Sequence, residues 1–377
     1  MRPWVLAAGD FTPLGGMDRA NHALACRLAA SGRDVHLVAH RVAAPLTAMR
    51  GVTVHDVPRP LGSHLLGAPL LSRAASSIAS RLGPGARLLA NGGNTRWIAP
   101  TWVHYVHAAY VPQVAAGVRA RTAAAIGRRL FLARERDALS RASAVICNSA
   151  RTAADVRRHY GIAADRVRVV YYGSDPDAFG PITGDERAAA RAALGLDPVR
   201  PTAVFVGALG DRRKGFDLLF EAWRRLCAAG GWDVDLAVAG RGAEADAWQR
   251  RAHAARLSDR LHFLHFRDDV PRVLAASDLL VHPARYEAYG LGVHEALTRG
   301  LPVIVTASSG VTERIPAALA PLVLPDPPSV DALVERLRAW QHASAEWRAV
   351  AGTAGAALRA RTGDDMADDI VRIIEAA

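Results

Sequence analysis

Lysine is almost missing from this chain. Of its 47 basic side chains only Lys214 is a lysine, set against 36 acidic residues and a formal net charge of +11. So strong an arginine bias reads as codon usage rather than selection at each position. No block of consecutive basic residues stands out beyond Arg212-Arg213-Lys214. A basic surface favours anionic partners such as a nucleoside diphosphate, and it leaves open peripheral association with an acidic membrane. Nucleic acid is not expected, because no aromatic platform is interleaved with the arginines. Cysteine is also scarce. Cys26, Cys147 and Cys227 lie far apart and fit neither a disulfide framework nor a zinc spacing. No apolar run approaches the roughly 18 residues that span a bilayer. The opening Arg2–Ala8 is too short for a secretory core and reads as a first strand. These absences lead us to expect a cytoplasmic protein, with attachment to the inner membrane face left open.

The composition, half hydrophobic and 22% charged, is that of a globular chain, and 377 residues suit two domains of ordinary size. Strands and helices alternate along it. Val5–Ala8 reads as a strand, followed by a loop with Gly15-Gly16, the helix 21–30 and the strand Val35–Val38. Residues 62–85 are less regular and read as loops and helices. Trp102–His107 alternates as a strand, Gly127–Arg141 reads as a helix, and Ser149 as the N-cap of the helix 151–159. Pro181–Pro201 carries proline, glycine and a short Ala-rich helix, and reads as the interdomain linker. Thr202–Val206 then restarts the pattern, with Gly207–Gly215 as a glycine- and cation-bearing loop before the helix Phe216–Ala229. Such loops seat phosphates on bare N–H groups at a helix start. The sole lysine falls in this one, and a compact ammonium suits a diphosphate.

The most informative stretch is 281–305, VHPARYEAYGLGVHEALTRGLPVIV. A strand ends at Pro283, a loop runs to Gly290, a helix spans Leu291–Thr298, and Gly300 and Pro302 stop it before the strand Val303–Val305. Two carboxylates bracket the loop, Glu287 in it and Glu295 in the helix. Tyr289-Gly290-Leu291-Gly292 can present N–H groups to an anion between them. Charge alone favours reading both glutamates as solvated.

Glu287-x7-Glu295 followed by EALTRGLPVI resembles the signature of the retaining glycosyltransferases of family 4. The resemblance implies an α/β chain of GT-B fold: two Rossmann-like domains with a cleft between them and a C-terminal helix crossing back to the first. The domains would be 1–180 for the acceptor and 181–360 for the nucleotide-sugar, with 361–377 as the returning helix. It implies a metal-independent hexosyltransferase with no cofactor, moving a sugar from a nucleoside diphosphate donor to an acceptor not readable from sequence. The catalytic residues would be His107, Lys214 and Glu287. Donor contacts would come from Gly16, Gly207, Arg213, Lys214, Arg267, Glu287, Tyr289, Gly290, Leu291 and Glu295. The family's usual second cation near the strand end is replaced here by Ala208, so Arg212 or Arg213 is left to supply it. His107 is the better match to the family's histidine and His104 ranks second. A histidine in such a place is more often a packed ring, and no nearby acid supports a metal. The rivals are an epimerase or phosphorylase on a similar fold, and a sugar-nucleotide-binding protein without turnover, which would be indifferent to Glu287→Gln.

Overall fold

The computed structural model describes residues 2–113 and 118–376. Its contacts divide the chain into two units, the first made of 1–111, 116–173 and 362–377 and the second of 112–115 and 174–361. The chain passes between them at Gly173/Ser174 and Arg361/Thr362.

The first unit holds strands β1 (Trp4–Ala7), β2 (Asp10–Phe11), β3 (Val35–Ala39), β4 (Arg41–Val42), β5 (Val52–Asp56), β6 (Arg87–Asn91), β7 (Thr101–Val103), β8 (Val145–Cys147) and β9 (Val167–Val169). Seven of them form a parallel sheet in the order β5-β3-β1-β6-β7-β8-β9, with β2 and β4 paired beside it. The helices are α1 (Gly16–Ala30), α2 (Ala44–Thr47), α3 (His64–Leu82), α4 (Val118–Arg141) and α5 (Ala150–Tyr160). Strands β1 and β8 are apolar and buried along their whole length, as in a parallel sheet with both faces covered. Ser149 caps α5, its Oγ accepting the Thr152 N–H at 2.9 Å.

Three expectations change. Residues 62–85, expected to hold loops and helices, give one long helix over 64–82 whose Gly67, Leu71, Ala75 and Ile78 face the core at helical spacing. Pro69 in its second turn lacks the N–H that would bond Leu65 O, and Arg134 Nη1 donates to that carbonyl instead at 3.1 Å. The expected strand 102–107 ends at Val103, and His107 opens a 3₁₀ turn (His107–Ala109). The helix after Gly15-Gly16 starts five residues earlier than expected, at Gly16.

In the second unit the helix α6 (Gly184–Leu194) precedes β10 (Thr202–Val206), α7 (Phe216–Ala229), β11 (Asp235–Ala239), α8 (Ala245–Ala254), β12 (Leu261–His265), α9 (Val270–Ala275), β13 (Leu279–His282), α10 (Leu291–Thr298), β14 (Val303–Thr306), β15 (Val323–Leu324), α11 (Val330–His342) and α12 (Ser344–Arg359). The parallel sheet runs β12-β11-β10-β13-β14-β15. Numbered from its own first strand this is 3-2-1-4-5-6, the dinucleotide-fold order, which reverses between β10 and β13. The short Ala-rich helix expected within the linker 181–201 is α6, and the whole stretch falls inside this unit. Buried Arg191 there donates to Asp278 at 2.8 Å and to the carbonyls of Ala276, Asp197 and Arg200.

The last helix, α13 (Gly363–Ala376), belongs to the first unit and packs on α1. It buries Met366, Ala367, Ile370, Val371 and Ile374. Arg27 of α1 forks onto Asp368 at 2.7 and 2.9 Å.

Candidate functional site

The order of the second sheet explains why residues 73 apart in sequence meet. β10 and β13 are neighbours at the reversal, paired Ala203↔Leu279 and Val204↔Leu280, so the loops leaving their carboxyl ends lie side by side. After β10, Asp211 caps a 3₁₀ turn over Arg212–Lys214, accepting the Arg213 N–H at 2.9 Å. Gly215 follows at φ 74°, and a Cβ there would stand 1.9 Å from the Pro283 carbonyl oxygen. Only glycine allows that approach. From the β13 side, Arg285 donates its backbone N–H to Arg213 O at 2.8 Å. Its guanidinium clamps Arg212 O at 2.6 Å and both oxygens of Asp217 at 2.7 and 2.8 Å.

The two loops gather three cationic or donor side chains around one oxygen of Glu287. Lys214 Nζ lies 2.5 Å from Glu287 Oε2, His282 Nε2 3.1 Å from the same oxygen, and Arg213 Nη1 3.8 Å from it. Burial by itself would raise the Glu287 carboxyl, but Lys214, the His282 bond and Arg213 outweigh it and hold it well below the usual carboxylate range. Burial, then the neighbouring Lys214, pushes the His282 imidazole down. A neutral imidazole facing a carboxylate must donate, so His282 carries its proton on Nε2. Lys214 is also lowered, because burial outweighs the attraction of Glu287. The lysine is thus a charge held in a dry site by one partner, poised for a stronger anion.

Beside this cluster stands the amino end of α10. Gly290 is its N-cap at φ 103°, and Gly290 O accepts the N–H groups of Val293 and His294. A Cβ on Gly290 would press on Glu287 Cγ at 3.3 Å, whereas a Cβ on Gly292 would meet nothing within 4 Å. The first turn of α10 is therefore open at Gly292, and Leu291 is its first residue. Glu295 is buried in the second turn. Tyr289 is buried too, its hydroxyl bonded to His294 Nδ1 at 2.9 Å, so its phenol points into the unit. His294 Nε2 lies 2.9 Å from Ser174 Oγ, whose proton goes to Leu358 O at 2.9 Å. Gly207 ends β10 against the Phe205 ring and lies under Gly240, where a Cβ would stand 1.8 Å from Gly207 O. Arg267 is turned to its neighbour, forking onto Asp269 at 2.6 and 2.7 Å. Of the two arginines left open for the second cation, Arg213 is the one beside Glu287. Arg212 is exposed and serves through its carbonyl.

In the first unit Gly16 is the first residue of α1, after Gly15 at φ 82°. His107 sits in its 3₁₀ turn with its ring stacked on Phe131, centroids 5.4 Å apart. Its backbone N–H and Nδ1 both meet Glu135 of α4, at 3.0 and 3.1 Å. His104 is buried under Trp102, bonded through Nδ1 to the Tyr172 hydroxyl, and lowered to about 3 by burial. It is a core ring.

Sequence reasoning missed two residues, Glu135 and His282. Glu135 left one signal: it shares a helical face with Ala138, Leu139 and Ala142, all buried. His282 ends an apolar strand five residues before Glu287, which by itself is no signal. Among the described residues no group of three or more His, Cys, Asp or Glu could hold a metal ion.

Residues 14–178 match the family described as Glycosyltransferase Family 4, and residues 186–356 the family Glycosyl transferases group 1. The lipopolysaccharide glucosyltransferase WaaG of Escherichia coli (strain K12) is 32% identical over 186 residues, 49% of each chain. A D-inositol 3-phosphate glycosyltransferase of Mycobacterium sp. (strain KMS) is 35% identical over 184 residues, 47% of this chain and 40% of that one. The chain spans about half the length of the curated relatives it matches. The crystal structure of WaaG superposes with a TM-score of 0.80 at 22% identity, covering 98% of this chain and 99% of that one. An Anabaena protein solved with UDP and glucose superposes at 0.72 and 18% identity, covering 100% of both. These likenesses are of fold, and the fold is GT-B. The two family matches lie end to end over a chain that carries the signature glutamates, and the chain belongs to the group 1 glycosyltransferases of family 4.

Proposed function

We propose that this protein transfers a hexose from a nucleoside diphosphate donor to an acceptor with retention of configuration, using no cofactor and no metal. The observation that carries this is the Lys214–Glu287–His282–Arg213 cluster beside the open first turn of α10. The diphosphate is expected to draw Lys214 and Arg213 toward itself, with the Gly290–Gly292 N–H groups completing the charge stabilisation of the leaving group. Glu287 then presents its carboxylate to the donor sugar, and Glu295 is assigned to the ribose. Gly16 and His107 are assigned to the first unit's share of the chemistry, and Gly207 to close backbone approach at the diphosphate. Nothing among the relatives named favours an epimerase. Retention is carried over from the family and from no distance measured here.

The test is nucleoside diphosphate release from a panel of UDP-, GDP- and ADP-sugars. One donor should be hydrolysed slowly without acceptor, and Lys214→Ala and Glu287→Gln should each reduce this by on the order of a hundredfold. Tight binding without release, unchanged by Glu287→Gln, would instead establish a non-catalytic binder. Failure to bind any donor would sink the proposal.

We further propose that the protein works at an acidic membrane face in the cytoplasm. No helix of the described residues is long and apolar enough to cross a membrane. Supporting attachment, α4 exposes Ile126 and Leu130 next to exposed Arg129, apolar groups among cations. Sedimentation with phosphatidylglycerol vesicles but not with phosphatidylcholine vesicles, lost in Ile126→Ser/Leu130→Ser, is the expected result. Equal binding to both, or to neither, would refute it.

A further inference from the structure

Glu135 is a buried carboxylate that the proposed chemistry has not used. It sits in α4, 2% exposed, and its carboxylate is bonded to His107 and Tyr160. Oε1 meets His107 Nδ1 at 3.1 Å, Oε2 accepts the His107 backbone N–H at 3.0 Å, and the Tyr160 hydroxyl of α5 donates to Oε2. Burying a carboxylate is costly unless donors converge on it, and here three do. Burial, with the Glu135 charge second, pushes the Tyr160 phenol up, so it stays a donor.

A carboxylate only accepts, so the 3.1 Å contact requires the proton on His107 Nδ1. The ring's other nitrogen, Nε2, has no partner among the described residues, and the side chain is 43% exposed. Phe131 at an interplanar angle of 3° blocks rotation of the ring from one face. A histidine whose Nδ1 is tied to a carboxylate keeps its tautomer and orientation and presents a bare Nε2.

We infer that Glu135 is a positioning residue that fixes His107 as its Nδ1–H tautomer, so that Nε2 is the acceptor for a substrate hydroxyl. The tautomer half stands on the geometry alone, while the substrate half rests on the glycosyl-transfer reading. Tyr160 holds the far oxygen of Glu135 and keeps the carboxylate from turning away. Among the described residues, the charged group further out that bears on this set is Arg136, which acts on Tyr160.

The two halves are tested separately. In the full chain labelled with nitrogen-15 histidine, His107 is identified by the signals lost in His107→Asn. In alkaline buffer, where the imidazole signals no longer change with pH, His107 should show a protonated Nδ1 and a bare Nε2. Glu135→Ala should turn this into a tautomer mixture, and Glu135→Gln, which keeps an accepting oxygen, should preserve it. An Nε2–H tautomer or a mixture in the wild type would overturn the inference, even if no variant folds. For the substrate half, UDP release from UDP-glucose and GDP release from GDP-mannose are followed. His107→Ala and Glu135→Ala should each lower kcat by about tenfold or more with little change in KM. The double variant should be no slower than His107→Ala alone. Additive losses, or a change confined to KM, would overturn it. If the wild type releases neither nucleotide, the glycosyl-transfer reading loses its support while the nitrogen-15 spectrum still decides the role of Glu135.

Discussion

At the scale of single residues, glycines separate close packing from open access. A Cβ on Gly240 would stand 1.8 Å from Gly207 O, while one on Gly292 would touch nothing. Gly240→Ala must therefore push apart the turns after β10 and β11, at about 1–3 kcal/mol or more. Gly292→Ala, inside α10, should gain about 0.5–1 kcal/mol from helix propensity. If the first turn of α10 seats a diphosphate, the same methyl group stands where the anion must come. The variant should then be more stable yet bind donor more weakly. Thermal melts with and without UDP check this, and an alanine at 292 that leaves UDP stabilisation intact would remove the anion seat from α10. Lys214 shows how much one side chain can reveal through its rarity alone. In a chain that otherwise uses arginine, the one ammonium lies 2.5 Å from the loop glutamate.

Among the elements, strong periodicity made the second unit readable. The ranges Phe216–Ala229 and Leu291–Thr298 were legible to the residue, because glycine and proline punctuate both ends. The strands of the second sheet were legible as apolar runs. The helix 64–82 was hidden because its buried face is built from glycine, alanine and leucine spaced between serines and arginines, with a proline inside. The end of β7 at Val103 was hidden for another reason. Tyr105 and His107 continue the alternation of a strand, yet neither Tyr105 nor His107 pairs with a neighbouring strand. Alternation in sequence cannot report where the partner strand stops. Glu135 stayed hidden because one charged residue on an apolar helix face looks like noise until its partners are in place.

For the whole molecule, buried histidines make acid the condition to watch. Burial lowers His104 to about 3 and His294 to about 4 from an ordinary 6.5, and lowers His282 as well. Below about pH 6.5 the unfolded chain takes up these protons and the folded chain does not, so stability falls as pH falls. Asp18 acts in the other sense. Burial, then Asp10, raises it to about 6, so the folded state takes its proton first. His22, His55 and His64 are lowered too, burial first in each, so the histidines outweigh Asp18 and the folded state loses stability as pH falls from about 6.5 to 5. Glu287 adds a further loss below its unfolded value, as its depressed carboxyl is protonated. The melting temperature should drop steeply from pH 7 to 5, and His294→Asn should flatten the drop. A melting temperature indifferent to pH across this range would contradict the burial of these rings.

By itself the sequence determined the alternation of strand and helix, the restart at Thr202 and the glycine-punctuated loops. It also set out the spacing of Glu287 and Glu295. These are local, because periodicity, caps and turn residues act within a few positions along the chain. Only the tertiary structure decided which of these residues meet. β10 and β13 are neighbours in the sheet although two strands separate them in sequence, and that pairing alone brings Lys214 and Arg213 onto Glu287. The same holds for His282 as the donor to Glu287, for Glu135 behind His107, and for the return of α13 to α1. Contacts between distant segments are chosen by the packing of whole sheets and helices. No short window of residues contains that information.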